Sequence, residues 1–191
     1  NLKMFLGRTE FDHYAESLRS LLYPILPHHV PLWGFRIGLI VMFGFHIHSA
    51  FTLTRMNHRA RPIKYQSSRD YIAVSFASRT MRWTGIIIGL YVLFHLADLT
   101  WGFANPDFVR GAAYDNLVAS FERVPVSIIY IISNIALGIH LFHGGWSMFQ
   151  SLGMNSPRYN GARRVFAAGF AITVAGINCL FPIAVLTGVV S

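Results

Sequence analysis

The chain has 191 residues, of which 53% are hydrophobic and 13% are charged. Because a water-soluble domain is normally about 25% charged, this composition argues against a soluble globule and indicates an integral membrane protein. The 16 Lys and Arg against 8 Asp and Glu give a net charge of +8, which in a soluble protein would suggest nucleic-acid binding. The single cysteine, Cys179, excludes an internal disulfide and a metal cluster ligated only by cysteines of this chain.

Four segments are long and apolar enough to be transmembrane helices, each of which needs about 20 mostly apolar residues. They run from about 32 to 56, 81 to 103, 125 to 150 and 165 to 190. Apolar residues at helical spacing over 9–24 predict a short helix at the membrane interface. Since no repeat is present, we predict a single all-α transmembrane domain over 1–191. The first residues have no signal-peptide pattern, and we expect one further spanning helix before residue 1.

Basic residues are concentrated on one side of the predicted bundle. The segments around 57–80 and 151–164, counted with the adjoining span ends, hold 10 of the 16 basic residues and 1 of the 8 acidic residues. The positive-inside rule places these two loops in the cytoplasm. The segments 1–30 and 104–124 and the C-terminus are then on the outer side of a multi-pass cytoplasmic-membrane protein. Membrane topology therefore explains the net charge, and nucleic-acid binding is not expected.

Histidines occur inside the predicted spans, where ionisable side chains are costly and often functional; they are His46, His48, His95, His140 and His143. His46 and His140 each lie ten residues from the cytoplasmic end of their span, about 15 Å along the helix and near mid-membrane. Two imidazoles at one depth could ligate a haem iron from opposite faces, whereas the alternative for each is a hydrogen bond between helices. His48 lies about 200° round the helix from His46, and His143 lies one turn nearer the cytoplasm than His140.

His95 belongs to the outer half of its span, where the other predicted spans have no histidine at its depth. A second haem bound there would need its other ligand from a further helix. Asp98, one turn further out, could hydrogen-bond that site or pair with Arg36. It could equally be an acid at the membrane interface.

Three sequence runs resemble a known family. The first is His46 with 53–57 and 60–62, and the second is 78–81 followed by Gly85 and 94–96. The third is 140–144 with Ser147, 149–153 and Asn155. Over nearly its whole length the chain resembles type B membrane anchors of succinate dehydrogenase/fumarate reductase, which are single-chain cytochrome b subunits with five spanning helices. The likeness implies that His46 and His140 ligate a haem b near the cytoplasmic side. It also implies an outer haem with His95 as one ligand and the other on the missing first helix.

The resemblance further implies two partner proteins, a flavoprotein that oxidises succinate and an iron–sulfur subunit that docks on the basic cytoplasmic loops. This chain would contribute no catalytic residue to succinate oxidation and would pass electrons to a quinone, usually menaquinone in type B anchors. A homo-oligomer of the complex is compatible with the sequence. A quinone headgroup needs hydrogen-bond donors beside an apolar slot, and the candidates near the cytoplasmic interface are Arg79, Arg82, Trp83, His143, Ser147 and Gln150. For the arginines and the tryptophan, the alternative is contact with lipid headgroups.

Two alternatives remain open from the residues. The chain could be a haem-free anchor, with quinone reduced directly from the iron–sulfur subunit or through another metal centre. A mixed Cys/His cluster needs two cysteines, and Cys179 is the only one. A transition-metal transporter could use intramembrane histidines as ligands, but the sequence has no internal repeat or paired broken helices.

Overall fold

The computed structural model describes residues 2–60, 76–154 and 156–191, and the side chains of 76–79 lie outside its described part. A 3-10 helix at Leu2–Leu6 precedes the α-helices α1 (Arg8–Ser17), α2 (Val30–Ala60), α3 (Phe76–Leu99), α4 (Ala113–Glu122), α5 (Val124–Ser151) and α6 (Pro157–Leu186). Over these described ranges all regular secondary structure is helical, which confirms the predicted all-α class.

Four of the described helices, α2, α3, α5 and α6, are long and apolar enough to cross a membrane, and they match the four predicted spans. The helix ends differ from the prediction for local reasons. α3 stops at Leu99 rather than near 103, and the chain turns at Gly102, where φ is +81° and a side chain would meet the ring of Phe108 at 2.4 Å. α6 begins at Pro157 rather than near 165, because proline is well suited to the first helical turn.

The segment predicted as an outer loop, 104–124, contains the helix α4. Its residues Tyr114, Leu117, Val118 and Phe121 recur at helical spacing and are all buried. They join a hydrophobic cluster that also includes Phe181 of α6. α4 is therefore an amphipathic helix whose apolar face packs on the bundle.

The chain divides into two compact units, 1–11 with 72–191, and 12–71. In the first unit α5 packs against both α3 and α6, and α4 packs against all three. Small residues bring α5 and α6 together: a Cβ on Gly138 would lie 2.9 Å from the Cβ of Ala175, and one on Gly145 would lie 3.5 Å from that of Ala167. The pairs run in opposite directions along the two helices, so α5 and α6 are antiparallel neighbours at close range.

The N-terminal residues of the first unit pack on the same cluster as α4. Met4 and Phe11 are buried, and the rings of Phe11 and Tyr114 lie 6.0 Å apart. Arg8 forms a salt bridge with Asp115 of α4 at 2.7 Å. The helix expected over 9–24 is shorter in the structure, since α1 ends at Ser17 and a series of turns follows.

The second unit contains the rest of α1, the connection over 18–29 and α2. None of the 31 residues of α2 is buried, and its most apolar window has a mean hydropathy of 1.6. A helix that is apolar around its whole circumference is typical of a membrane span.

Candidate functional site

His140 on α5 is held by a hydroxyl group from α3. Its Nδ1 lies 3.2 Å from Thr84 Oγ1, which is also 3.1 Å from the Thr80 carbonyl and 3.0 Å from the Met81 carbonyl. When the hydroxyl donates its single proton to one of these carbonyls, its oxygen can accept from Nδ1–H of the imidazole. A Cβ on Gly85 would lie 3.5 Å from His140 Cε1, an ordinary van der Waals distance, so the ring lies directly beside this part of α3. In this tautomer Nε2 carries the lone pair that can bind a metal.

His95 on α3 has the corresponding arrangement with a side chain of α5. Its Nδ1 lies 3.4 Å from the hydroxyl of Tyr130, and that hydroxyl donates to Asp98 Oδ2 at 2.9 Å. Because the phenol proton is directed to the carboxylate, the phenol oxygen accepts from His95 Nδ1–H. His95 is therefore also arranged with its Nε2 lone pair as the metal-binding position.

Asp98 is the centre of a buried polar cluster. Its side chain is 0% exposed, and its carboxylate pairs with Arg123 Nη2 at 2.5 Å and accepts a hydrogen bond from the hydroxyl of Ser120. Arg123 also donates to the Ala104 carbonyl at 2.6 Å. The structure therefore pairs Asp98 with Arg123 at the α4–α5 junction and links it to the His95 site through Tyr130, which is one of the alternatives considered from the sequence. Arg36, the other partner considered, lies in the second unit.

His46 and His48 lie on α2 in the second unit, whereas His140 and His95 lie in the first. The equal depth of His46 and His140 therefore remains a prediction from the sequence. The structure adds information on His95 of α3 and His140 of α5, each of which has a side-chain partner on the facing helix.

Two of the predicted quinone-binding residues contact each other. His143 Nε2 lies 3.1 Å from the Ser147 hydroxyl, one turn along α5. This part of α5 faces the start of α3, since a Cβ on Gly144 would lie 3.8 Å from Met81 Cε. His143 and Ser147 are both half-buried, so they place polar groups beside an apolar helix contact.

The remaining quinone-binding candidates are more exposed. Trp83 is 71% exposed and lies about 200° round α3 from Met81, which turns its ring away from α5. Arg82 and Gln150 are also exposed. The side chain of Arg79 lies outside the described residues, so its role stays a prediction.

One of the basic residues assigned to a docking loop is buried. Arg163 is 5% exposed, donates to the Met154 carbonyl at 2.8 Å, and lies 4.9 Å from the centroid of the Trp146 ring. It therefore fixes the turn between α5 and α6. Arg158 and Arg164, in the first turns of α6, are exposed and remain candidates for the docking surface.

A separate polar cleft of about 610 Å³ occurs in the second unit; its lining residues are His13, Glu16, Ser17, Arg19, Ser20, His28 and His29. Across the described ranges no group of three His, Cys, Asp or Glu side chains has an arrangement that could hold a metal ion. The three histidines of this cleft are therefore not arranged as a metal site.

The fold defines a helical membrane protein in which α3 and α5 present paired histidine and hydroxyl groups. A protein-family model described as the transmembrane subunit of succinate dehydrogenase/fumarate reductase matches residues 57–177. This match covers more than half of the chain, and the chain belongs to that family. Comparison with curated proteins and with solved structures gives no match. Membership implies association with the catalytic subunits of the enzyme.

Proposed function

We propose that this chain anchors succinate dehydrogenase/fumarate reductase in the membrane and carries electrons from its iron–sulfur subunit to a quinone, with menaquinone as the expected species. In this proposal b-type haem is the electron carrier, and His46 and His140 are its axial ligands on the cytoplasmic side. His95 ligates a second haem on the outer side. A bound haem iron would accept and release one electron at a time.

The observation that carries this proposal is the contact between His140 and Thr84. Histidines that ligate metals nearly always donate the other ring nitrogen to a hydrogen-bond acceptor, which fixes the tautomer and the ring orientation. The Thr84 hydroxyl is 3.2 Å from Nδ1 and is itself fixed by helix carbonyls. The donor chemistry of His140 therefore fits an axial haem ligand, and His95 with Tyr130 fits by the same criterion.

Quinone reduction consumes two electrons and two protons, so the site needs groups that hydrogen-bond the ring oxygens. His143 and Ser147 supply such groups at the end of α5 near the α5–α6 turn. Either side chain can donate a hydrogen bond to a quinone oxygen, while the other orients that donor through the hydrogen bond between them. The exposed Arg82 and Gln150 lie near the same helix ends, on α3 and α5.

The basic start of α6, near the same end of the bundle, is the proposed contact for the iron–sulfur subunit. Arg158 and Arg164 are exposed there. By the positive-inside rule this end faces the cytoplasm, where the succinate-oxidising subunits would dock. The α4 end then lies on the outer side.

A reduced-minus-oxidised visible spectrum of the purified complex tests the haem assignment. We expect a b-type band in the wild type and loss of the cytoplasmic-side haem in His46→Ala and His140→Ala. His48→Ala is the matched control, because His48 lies on the same helix but points away from the predicted site, and it is expected to retain the haem. A wild-type complex that has quinone reductase activity but no b-type band and no iron beyond its partner subunits would instead establish a haem-free anchor.

The Thr84 contact has its own test. Thr84→Val keeps the shape of the side chain and removes the hydroxyl, and loss of such a contact typically weakens metal affinity about 10- to 100-fold. We expect faster transfer of haem from the variant complex to apomyoglobin, measured by absorbance. Thr84→Ser restores the hydroxyl and is expected to restore retention; equal rates in the wild type and Thr84→Val would contradict the assignment.

A further inference from the structure

Two hydroxyl groups donate to the same carboxylate oxygen in the buried cluster, but only one of them contacts a histidine. Ser120 and Tyr130 both bond to Asp98 Oδ2. The Tyr130 hydroxyl also lies 3.4 Å from His95 Nδ1. Loss of either hydroxyl therefore removes a bond to Asp98, but only loss of the Tyr130 hydroxyl removes a contact with the imidazole.

We propose that Tyr130, fixed by Asp98, is the positioning residue that sets the tautomer and ring orientation of His95 for metal ligation. The inference rests on the proposed function, because it takes His95 to be a haem ligand. Asp98 and Tyr130 do not touch the haem in this account; both act through the imidazole.

The Tyr130 ring is held from several sides. It is 3% exposed, and its centroid lies 4.9 Å from that of Phe121, 5.2 Å from that of Tyr91 and 5.9 Å from that of Phe94. All three contacts are close to edge-to-face, the favoured geometry for aromatic pairs. A ring packed in this way places its hydroxyl at one point, so the acceptor offered to His95 has a defined position.

The carboxylate that orients the phenol is itself fixed and neutralised. Asp98 is fully buried and pairs with Arg123 at 2.5 Å. A buried carboxylate is stable only when it is paired and hydrogen-bonded, and α4 contributes Ser120 to that set. The amphipathic helix α4 therefore contributes a hydroxyl donor to the carboxylate as well as an apolar face to the hydrophobic cluster.

The direction of the hydrogen bonds explains why a carboxylate is used here. Asp98 accepts the phenol proton, so the phenol oxygen is available to accept from His95 Nδ1–H. Histidine–acceptor pairs of this kind fix the tautomer and increase the basicity of the ligating nitrogen. If Asp98 were a donor, the phenol would turn its proton toward His95 and favour the tautomer with the lone pair on Nδ1.

The experiment compares Tyr130→Phe with Ser120→Ala in the purified complex. Each variant removes one hydroxyl bond to Asp98, but only Tyr130→Phe removes the contact with His95. Arg123 remains paired with the carboxylate in both, so both are expected to assemble, which the ratio of anchor to flavin checks. His95→Ala identifies the haem that depends on this site by its loss from the spectrum.

We expect Tyr130→Phe to increase the rate of transfer of that haem to apomyoglobin about 10- to 100-fold and to shift its midpoint potential, with the other haem unchanged. Ser120→Ala is expected to match the wild type. Equal effects of the two variants, no effect of Tyr130→Phe, or retention of all haem in His95→Ala would each overturn the inference while leaving the haem on His46 and His140 intact. A wild-type complex without haem would overturn the proposed haem function as well.

Discussion

Removal of Arg123 is the most direct test of the buried cluster. In Arg123→Met the Asp98 carboxylate, which is 0% exposed, keeps only the neutral hydroxyl donors Ser120 and Tyr130. Removing one member of a buried ion pair costs about 3–5 kcal/mol, because the other charge stays buried without compensation. Since the Arg123 side chain is 27% exposed, we expect the lower end of that range, about 3 kcal/mol.

The assay is thermal denaturation of the purified complex in detergent. The quantity measured at each temperature is the fraction of the anchor that remains folded. For a chain of this length, each kcal/mol lowers Tm by about 2–4 °C, so Arg123→Met is expected to lower Tm of the anchor by about 6–12 °C. Arg110→Met is the matched control. Arg110 precedes α4 and is exposed, so its replacement is expected to change stability by less than about 0.5 kcal/mol.

The double variant Asp98→Asn with Arg123→Met separates the lost ion pair from other effects of the substitution. Replacing both charges removes the uncompensated carboxylate, so the double variant is expected to be more stable than the sum of the single changes predicts. Residues in contact normally show such non-additivity. Additive losses, or a Tm of Arg123→Met within the error of the Arg110→Met control, would refute the view that charge compensation holds this cluster.

Two further substitutions test the packing of the first unit. Gly138→Ala adds a Cβ 2.9 Å from that of Ala175, and we expect a loss of about 1–3 kcal/mol from overpacking, read as a lower Tm. Gly169→Ala is its control, since a Cβ there meets nothing within 4 Å and alanine favours a helix. Arg163→Met removes the donor that bonds the Met154 carbonyl at 2.8 Å and the charge over the Trp146 ring. We expect the free energy of unfolding to fall by about 1–3 kcal/mol and proteolysis at the α5–α6 turn to be faster. Unchanged cleavage in that variant would show that Arg163 does not fix the turn.

The spans could be predicted from the sequence because a membrane helix is defined by length and hydropathy alone. Their ends could not, because they depend on single residues such as Gly102 and Pro157. The helix α4 was missed although its signal was present: positions 114, 117, 118 and 121 follow the i, i+3, i+4, i+7 pattern. A short amphipathic helix between two much more apolar spans is easily taken for part of a loop.

The histidines of the candidate site were identifiable because an imidazole in a span is unusual. Their partners were not, since Thr84 and His140 are 56 positions apart and Tyr130 and His95 are 35 apart. Such contacts depend on the register between α3 and α5, which hydropathy does not determine. The available signal was a polar residue within each apolar run, Thr84 in α3 and Tyr130 in α5. The sequence does not indicate which histidine such a residue contacts. The pairing of Asp98 with Arg123 could not be identified for the same reason.

The two histidine contacts are reciprocal across one helix pair. Thr84 of α3 holds His140 of α5, and Tyr130 of α5 holds His95 of α3. The contacts are 11 residues apart on α3 and 10 apart on α5, about 15 Å along the helices at 1.5 Å per residue. A slip of α3 against α5 by one turn would therefore break both contacts at once, whereas a change at one hydroxyl leaves the other in place. The two sites are about 15 Å apart along the helices, and the contacts given above for them have no residue in common. The effects of Thr84→Val and Tyr130→Phe on haem retention are therefore expected to add. Strong coupling between them would mean that both variants act by shifting the helix pair.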